Sequence, residues 1–590
     1  RGQADADLAL GEAKFKERCA GCHDNAADRT PPTAVIRDNT APFIYSAMRE
    51  GVMKPMSQGL SQLEVVSIAT WLAQKKGGDV DRTALEAPLC TTTPKPLTLD
   101  GPSWNGWGRT SANPRFQPQP GFAKADVPRL KLKWALQYAG SRTGQATIVG
   151  GRLFTVSSSG AVYSLDAKTG CAFWRFNADA GARTTPVIGQ LPAGGSARFA
   201  VHFVDATKHA YAIDAETGAL LWKTQVEDHP MAAMTGTPVL HAGKLYVPLS
   251  SGEEGAAVSP AYPCCTFQGG VAALDAATGK LLWRTRVIPT PPAPFKTKDA
   301  GGQMFGPAGA AIWSAPTVDA KRGLLYVATG DSYTDVKETS SDAIVALDLN
   351  TGAIRWSHQL TEGDAYIIGC SPTRRGANCP TDVGPDADFG ASPILHDVGG
   401  GRQVLLAGQK SGEIYALDPD NKGAIVWKHR PGVGGPLGGI QWSIAADKDN
   451  VYAPVTDTNV KDGKPGLTAI RVKDGKILWT SPAPTPACAW AQGRCGHGIS
   501  QAIAAAPGVV FAGHHDGWFR AYDSATGKVL WEFDTAGQEH TMLNGRTGKG
   551  GVMDAAGVSV ADGMVYVHSG YGGRGDAAGI VLLAFSFDGK

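Results

Sequence analysis

Nothing in the 590 residues approaches the run of roughly 18 apolar residues that a membrane helix requires. An excess of one charge is also lacking. The 56 Lys and Arg nearly balance 54 Asp and Glu, leaving +2, and the basic residues are not clustered. No nucleic-acid or anionic-membrane surface is therefore expected. The chain lacks an opening Met and begins RGQADADLAL, which reads as a mature protein whose export signal has been removed. What is abundant is glycine, 75 residues, together with 38 Pro and 15 Trp. That composition suits a turn-rich all-β protein better than a helical one. The length exceeds one ordinary domain and is ample for a large core.

Ten cysteines are informative by their spacing. Cys19 and Cys22 form a CxxC followed by His23. Cys264 and Cys265 are adjacent, Cys370 and Cys379 share one loop, and so do Cys488 and Cys495. Cys90 and Cys171 remain, and pair by elimination. Local pairs in an even count predict disulfides and an oxidising compartment, the periplasm.

The first 80 residues differ from the rest. GEAKFKERCAGCH (11–23) predicts a helix running into a CxxCH motif, in which two thiols add to haem vinyl groups and His23 ligates iron. A zinc knuckle or a redox dithiol is the alternative for the motif alone. Downstream, REGVMKPMSQGL offers Met53 and Met56 as the second axial ligand, before an apolar-periodic helix over 61–76. This order resembles a small all-α class I cytochrome c domain over 1–80, and that resemblance favours Met53. Residues 81–125 carry seven prolines and little periodicity, and predict a semi-rigid linker lying on the next domain.

From about 126 a repeat takes over, with copies such as LDAKTGCAFW ending at Trp174, LDAATGKLLW at Trp283 and YDSATGKVLW at Trp531. Each predicts a strand, a tight Asp/Gly turn and a strand whose Trp can staple neighbouring sheets. Seven copies are whole. An eighth is split between LKLKWALQY (130–138) and LLAFSFDGK (582–590). The expectation is an eight-bladed β-propeller over 126–590, closed through its termini.

The repeat resembles the tryptophan-docking motif of the pyrroloquinoline quinone (PQQ) dehydrogenases, and the resemblance covers nearly all of 126–590. Propeller lipoproteins of outer-membrane assembly carry similar repeats without quinone, so the residues between repeats discriminate. Adjacent cysteines joined to each other cover one face of the quinone in that family, which points to Cys264 and Cys265. Here the pair lies in an insertion after an acidic turn, a blade later than in methanol-oxidising relatives. Trp313 in AAIWSAPTVD matches the residue stacked on the opposite face. SSGEEG implies Glu254 as a calcium carboxylate, with Ser251 and Gly252 lining the quinone. Asp331 stands where relatives often have Asn as a calcium ligand. DADFGASPIL implies Asp388 as catalytic base and calcium ligand. Gly390 occupies the place of a second Asp in lanthanide-using relatives, so calcium is implied. Arg183 and Thr235 match contacts to quinone carboxylates, Lys410 a cation near the reactive carbonyl, and Gln441 a polar contact. Gln145 falls where a relative has Glu, and Ala311 where it has Thr. His497, His514 and His515 match no family role and read as loop histidines.

The resemblance implies an oxidoreductase. Asp388 would take the alcohol proton, electrons would pass from PQQ to haem c, and then to an external cytochrome c. The N-terminal place of the haem motif, with YPCCTFQGG, DFGASPIL and GGIQW, resembles the branch that oxidises secondary hydroxyls of polyvinyl alcohol to ketones. Two alternatives are a dehydrogenase of another small secondary alcohol and a non-enzymatic periplasmic propeller with a cytochrome relay.

Overall fold

The computed structural model describes residues 2–24, 33–37, 41–49, 53–73, 87–138, 142–158, 160–298, 302–371, 373, 375–458, 460–486, 488, 496–571 and 580–587. The expected boundary near residue 80 and Cys495 lie outside the described residues.

Eight four-stranded antiparallel sheets succeed one another along the chain. The first seven span 147–177, 187–225, 239–286, 317–359, 394–429, 445–482 and 504–534. The eighth takes three strands from Ser559–Ala561, Met564–Ser569 and Ile580–Ser586, and its outermost from Lys131–Tyr138. This is the eight-bladed propeller expected from the split repeat, closed through its termini and leaving only the short outer edge of each blade.

The repeat explains its own geometry. In each turn the glycine holds a positive φ that favours Gly, for example 76° at Gly170 and 71° at Gly279. The same glycine packs on the Trp of the preceding blade. A Cβ at Gly218 would come within 2.9 Å of the Trp174 ring, and at Gly527 within 2.5 Å of Trp479. The indole N–H then reaches across the seam. Trp174 donates to the Ala215 carbonyl at 3.1 Å, Trp222 to Ala276 at 3.0 Å, and Trp427 to Val472 at 2.8 Å. The last whole repeat closes the ring, with Trp531 donating to the Leu130 carbonyl at 3.1 Å. Gly and Trp of the motif are thus partners between blades, not within one.

Residues 104–117, inside the expected linker, cross the innermost strands of most blades. Trp104 pairs with Ile148, Asn105 with Ile188, Phe116 with Ala505. Asn113 donates to the Pro316 carbonyl and the Thr317 hydroxyl, each at 2.9 Å. The Ala446 N–H reaches Pro114. Arg115 is 1% exposed and bonds carbonyls of Trp107, Ala502, Ile503 and Val558. The segment is a plug in the propeller axis. Ahead of it, Cys90 is disulfide-bonded to Cys171 as expected, pinning the chain along Ala172. The Cys370–Cys379 pair is likewise present, and Cys488 is disulfide-bonded.

The N-terminal region is helical: Gly2–Arg18, Ala20–His23, Thr33–Ile36, Ala41–Arg49 and Gln62–Leu72. Ser61 caps the last by accepting from the Glu64 N–H, while the Glu64 carboxylate accepts from Ser61 N–H at 2.7 Å. First and last helices cross closely at Gly11, where a Cβ would lie 2.0 Å from the Ser67 carbonyl oxygen. Their core holds Phe15, Ile44, Val65, Ile68 and Leu72.

Candidate active site

Loops of the third, fourth and fifth blades, with the long connection between the fourth and fifth, bring five carboxylates and one ammonium together. Asp388 follows a loop into the fifth blade and is 6% exposed. One of its oxygens accepts the Asp331 N–H at 2.6 Å. The other accepts from Lys410 Nζ at 2.9 Å and from the Trp313 indole at 3.2 Å. Burial works against this carboxylate, but Lys410 and the Asp331 N–H hold it below the ordinary value. Lys410 also donates to Asp386, and the two acids keep its ammonium well above the usual range against the cost of burial. Asp364 accepts the N–H groups of Asp386 and Ala387, which fixes the strand leading to Asp388.

The remaining acids lack such compensation. Burial and the nearby Asp388 push Glu254 up to about 7, and raise Asp331 well above its ordinary value. One Asp331 oxygen is buried without a hydrogen-bond partner, as are both oxygens of Asp342, whose carboxyl burial also raises. The cluster holds more negative charge than Lys410 can balance. Protons or a further cation must supply the rest. Among the described residues, no three His, Cys, Asp or Glu side chains are drawn up in metal-holding geometry.

Beside this cluster lies a cavity that opens to solvent, with about 350 Å³ of empty space counting its mouth. Its walls include the indoles of Trp107, Trp313 and Trp442, with Thr143, Arg183 and Thr235. Trp313 meets Trp442 edge-on at 4.9 Å, and the Lys410 ammonium stands 5.5 Å over Trp313. Arg183 is stacked 5.2 Å over Trp442 and donates to the Tyr571 hydroxyl at 2.8 Å. Gly390 is required here. A Cβ would sit 1.8 Å from the Trp313 ring and 2.3 Å from the Gln441 carbonyl.

Cys264 and Cys265 are joined to each other, fully buried, across a cis peptide, and belong to the same apolar cluster as Trp313 and Ala311. Glu253 holds their turn. It accepts from the Tyr262 hydroxyl at 2.8 Å on one side, and from the N–H groups of Thr266 and Phe267 at 2.9 and 2.7 Å on the other.

The family profile "PQQ: Glucose/ethanol/alcohol dehydrogenase, beta-propeller domain" matches residues 104–368, and that of "Outer membrane protein assembly factor BamB" matches 410–584. Among solved structures, quinohemoprotein alcohol dehydrogenase ADHIIG from Pseudomonas putida HK5 aligns with TM-score 0.61 at 20% identity, over 83% of this chain and 80% of that one. That likeness establishes the fold. Two curated relatives are much nearer. "Polyvinylalcohol dehydrogenase" of a Pseudomonas species is 50% identical over 100% of this chain and 95% of its own. The protein of the same description from Sphingopyxis sp. strain 113P3 is 49% identical, over 99% and 94%. The chain belongs to the polyvinylalcohol dehydrogenase family.

Within this family member, the structure brings together Asp388, Lys410, Trp313, Asp331 and Glu254, and lines the adjoining cavity with Arg183 and Thr235. Ser251 bonds the Tyr333 phenol beside the acids, and Gly252 precedes the short helix Glu253–Ala256. Gln145 is tied elsewhere. Its carbonyl accepts from Arg115 at 2.9 Å and its amide donates to Trp107 O at 3.1 Å, so it braces the plug. The Gln441 amide donates to the Gly438 carbonyl at 2.6 Å. Sequence reasoning missed Glu253, Asp364, Asp386, Trp107 and Trp442. The doublets Glu253–Glu254 and Gln441–Trp442, and the alternation Asp386–Ala387–Asp388, were the available signals. In the helical region Cys19 and Cys22 are not joined in a disulfide, and His23 is buried. Met53 packs on the same core as Cys19, whereas Met56 is 53% exposed.

Proposed function

We propose that this chain is a periplasmic quinohaemoprotein that oxidises secondary hydroxyls of polyvinyl alcohol to ketones. The observation that carries the reading is Asp388, ionised and held by Lys410, Trp313 and the Asp331 N–H at the rim of a tryptophan-walled cavity, in a chain about 50% identical to polyvinylalcohol dehydrogenases over its whole length. In this reading residues 1–80 are a class I cytochrome c domain and 126–590 the catalytic propeller, joined by 81–125. Among the described residues no helix is long and apolar enough to cross a membrane.

The chain's residues suit the cofactors this requires. Three indoles and a half-buried Arg183, bonded to Tyr571, fit a flat polyanion such as PQQ. The lining Ser314 hydroxyl is buried without a partner, a further group for such a ligand. The charge surplus at Glu254, Asp331 and Asp388 fits Ca²⁺, which these acids would hold. Cys19, Cys22, His23 and Met53 would hold haem c. When bound, PQQ supplies a two-electron acceptor, Ca²⁺ a Lewis acid and haem a one-electron carrier.

The protein's own part is proton handling and orientation. Asp388 is kept ionised at neutral pH, so it accepts the substrate hydroxyl proton without first losing one. Lys410 and Trp313 fix which oxygen faces each donor. Arg183 and Thr235 orient an anionic ligand against Trp313. An external cytochrome c takes the electrons onward.

Protein reconstituted with PQQ and Ca²⁺ should show reduced c-type haem absorption on adding polyvinyl alcohol. Haem that dithionite reduces but no alcohol does would overturn the dehydrogenase reading. Gly390→Ala should drive the Trp313 ring out of place. With overpacking costing about 1–3 kcal/mol, quinone affinity should fall roughly tenfold or more, read by tryptophan quenching on titration with PQQ.

A further inference from the structure

Most large apolar side chains that are exposed among the described residues lie on outer blade strands, one or two positions before a repeat Trp: Leu220, Leu281, Leu282, Val426, Leu478 and their equivalents. They belong to the fold. Val258, Ile368 and Leu437 do not, with 51%, 44% and 55% of their surface exposed. All three are in loops that close on the carboxylate–lysine cluster.

The Ile368 N–H donates to Glu254, and Tyr366, two residues before, shares the field of Asp386 and Glu254, which with burial pushes its phenol up to about 12. Val258 lies four residues beyond Glu254. Its loop is clamped to the Cys370–Cys379 loop by Asn378, which donates to the Ala257 and Ser259 carbonyls at 2.9 Å each, on either side of Val258. A Cβ at Gly369 would lie 3.9 Å from Val258 Cγ2, so the chain next to Ile368 runs against Val258. Leu437 lies further round the ring, in the connection between the fifth and sixth blades. Its turn is anchored where Gly435 N–H meets the Lys410 carbonyl at 3.0 Å.

We propose that Val258 and Ile368, with Leu437 further round the ring, grip the carbon backbone of a polymeric secondary alcohol as it crosses the site. This rests on the function proposed above. The occupant is chosen by chemistry. A chain that alternates CH₂ with CHOH offers methylenes to apolar lips at the same time as it presents one hydroxyl to Asp388. A small alcohol is too short to reach them. Apolar groups held rigidly by a disulfide loop beside a polar site lose less entropy on binding a flexible chain than mobile ones would. The competing occupant is the helical N-terminal region of the same chain.

The test uses protein loaded with PQQ and Ca²⁺, comparing wild type with V258S/I368S, whose exposed substitutions should leave folding intact. KM for polyvinyl alcohol should rise roughly tenfold with kcat unchanged, the loss expected for two apolar contacts. The kcat/KM for 2-propanol should stay within about twofold. Cofactor-free protein should also be retarded in gels containing polyvinyl alcohol, and the variant less so. An unchanged polymer KM, or equal losses on both alcohols, overturns the grip. Slower haem reduction at saturating substrate assigns the lips to the N-terminal region instead. If the wild type oxidises no alcohol, the proposed function fails and the gel still decides: retardation lost in the variant supports the grip, and no retardation of wild type overturns it.

Discussion

Asp388→Asn should lower kcat on polyvinyl alcohol by roughly a thousandfold or more, at the upper end of what a positioned general base contributes. The argument is one of donors. Asp388 is surrounded by three: the Asp331 N–H on one oxygen, Lys410 Nζ and the Trp313 indole on the other. A carboxylate accepts all three and retains lone pairs for a substrate hydroxyl. An asparagine has one accepting oxygen. Whichever way it turns, its NH₂ faces either the Asp331 N–H or the Lys410–Trp313 pair, and it has no basicity for a proton. Removing one acceptor from a buried network costs about 1–3 kcal/mol, which a 590-residue protein survives. Haem content, PQQ binding and circular dichroism should therefore match wild type while turnover is lost. Asp388→Glu should not rescue, because Gly330 leaves no room: even a Cβ there would lie 2.6 Å from the Asp388 oxygen. Retention of more than about a tenth of wild-type kcat by Asp388→Asn would place the base elsewhere.

What could be read from the chain divides along sequence distance. The propeller was legible because each Gly–Trp pair recurs within one repeat, and the next copy supplies its partner. The split eighth copy even indicated how the ring closes. Asp388, Lys410, Trp313 and the adjacent cysteines were legible because each sits in a short, distinctive segment. The plug was not. Arg115 answers Val558, 443 residues away, and successive contacts of 104–117 pass from one blade to the next, so no periodicity marks it. Proline-rich sequence of that kind reads as a linker. The same fact misdirected Gln145, whose buried amide is taken by Arg115 and Trp107. Glu253 was overlooked beside Glu254 because the two point to different tasks, one bonding the Cys264–Cys265 turn and the other joining the acids. Only the turn of the short helix separates them.

Lys410→Met should be nearly as damaging, and for a reason that pH can expose. Lys410 is the ammonium paired with Asp386 and Asp388, within a cluster that also contains Asp331, Asp364 and Glu254. Removing one partner of a buried ion pair costs about 3–5 kcal/mol, unless the acids left behind take up protons. They should do so. Burial already raises Asp331, Asp364 and Asp386, and the lowered value of Asp388 depends on Lys410. In the metal-free variant the folded cluster then binds more protons than the unfolded chain, whose carboxyls titrate near 3.8. Stability must therefore fall as pH rises from that value through the raised folded values. The difference in melting temperature between wild type and variant should be larger at pH 8 than at pH 5. Added Ca²⁺ should narrow it at high pH, because a cation substitutes for the missing ammonium and stabilises as RT ln(1 + [L]/Kd). Turnover should drop roughly a hundredfold or more even with calcium. The acid limb of kcat/KM should move to higher pH, since Asp388 must now lose a proton before it can accept one. A variant whose melting temperature tracks wild type at every pH would mean that other groups neutralise the acids, and that Lys410 is not what keeps Asp388 ionised.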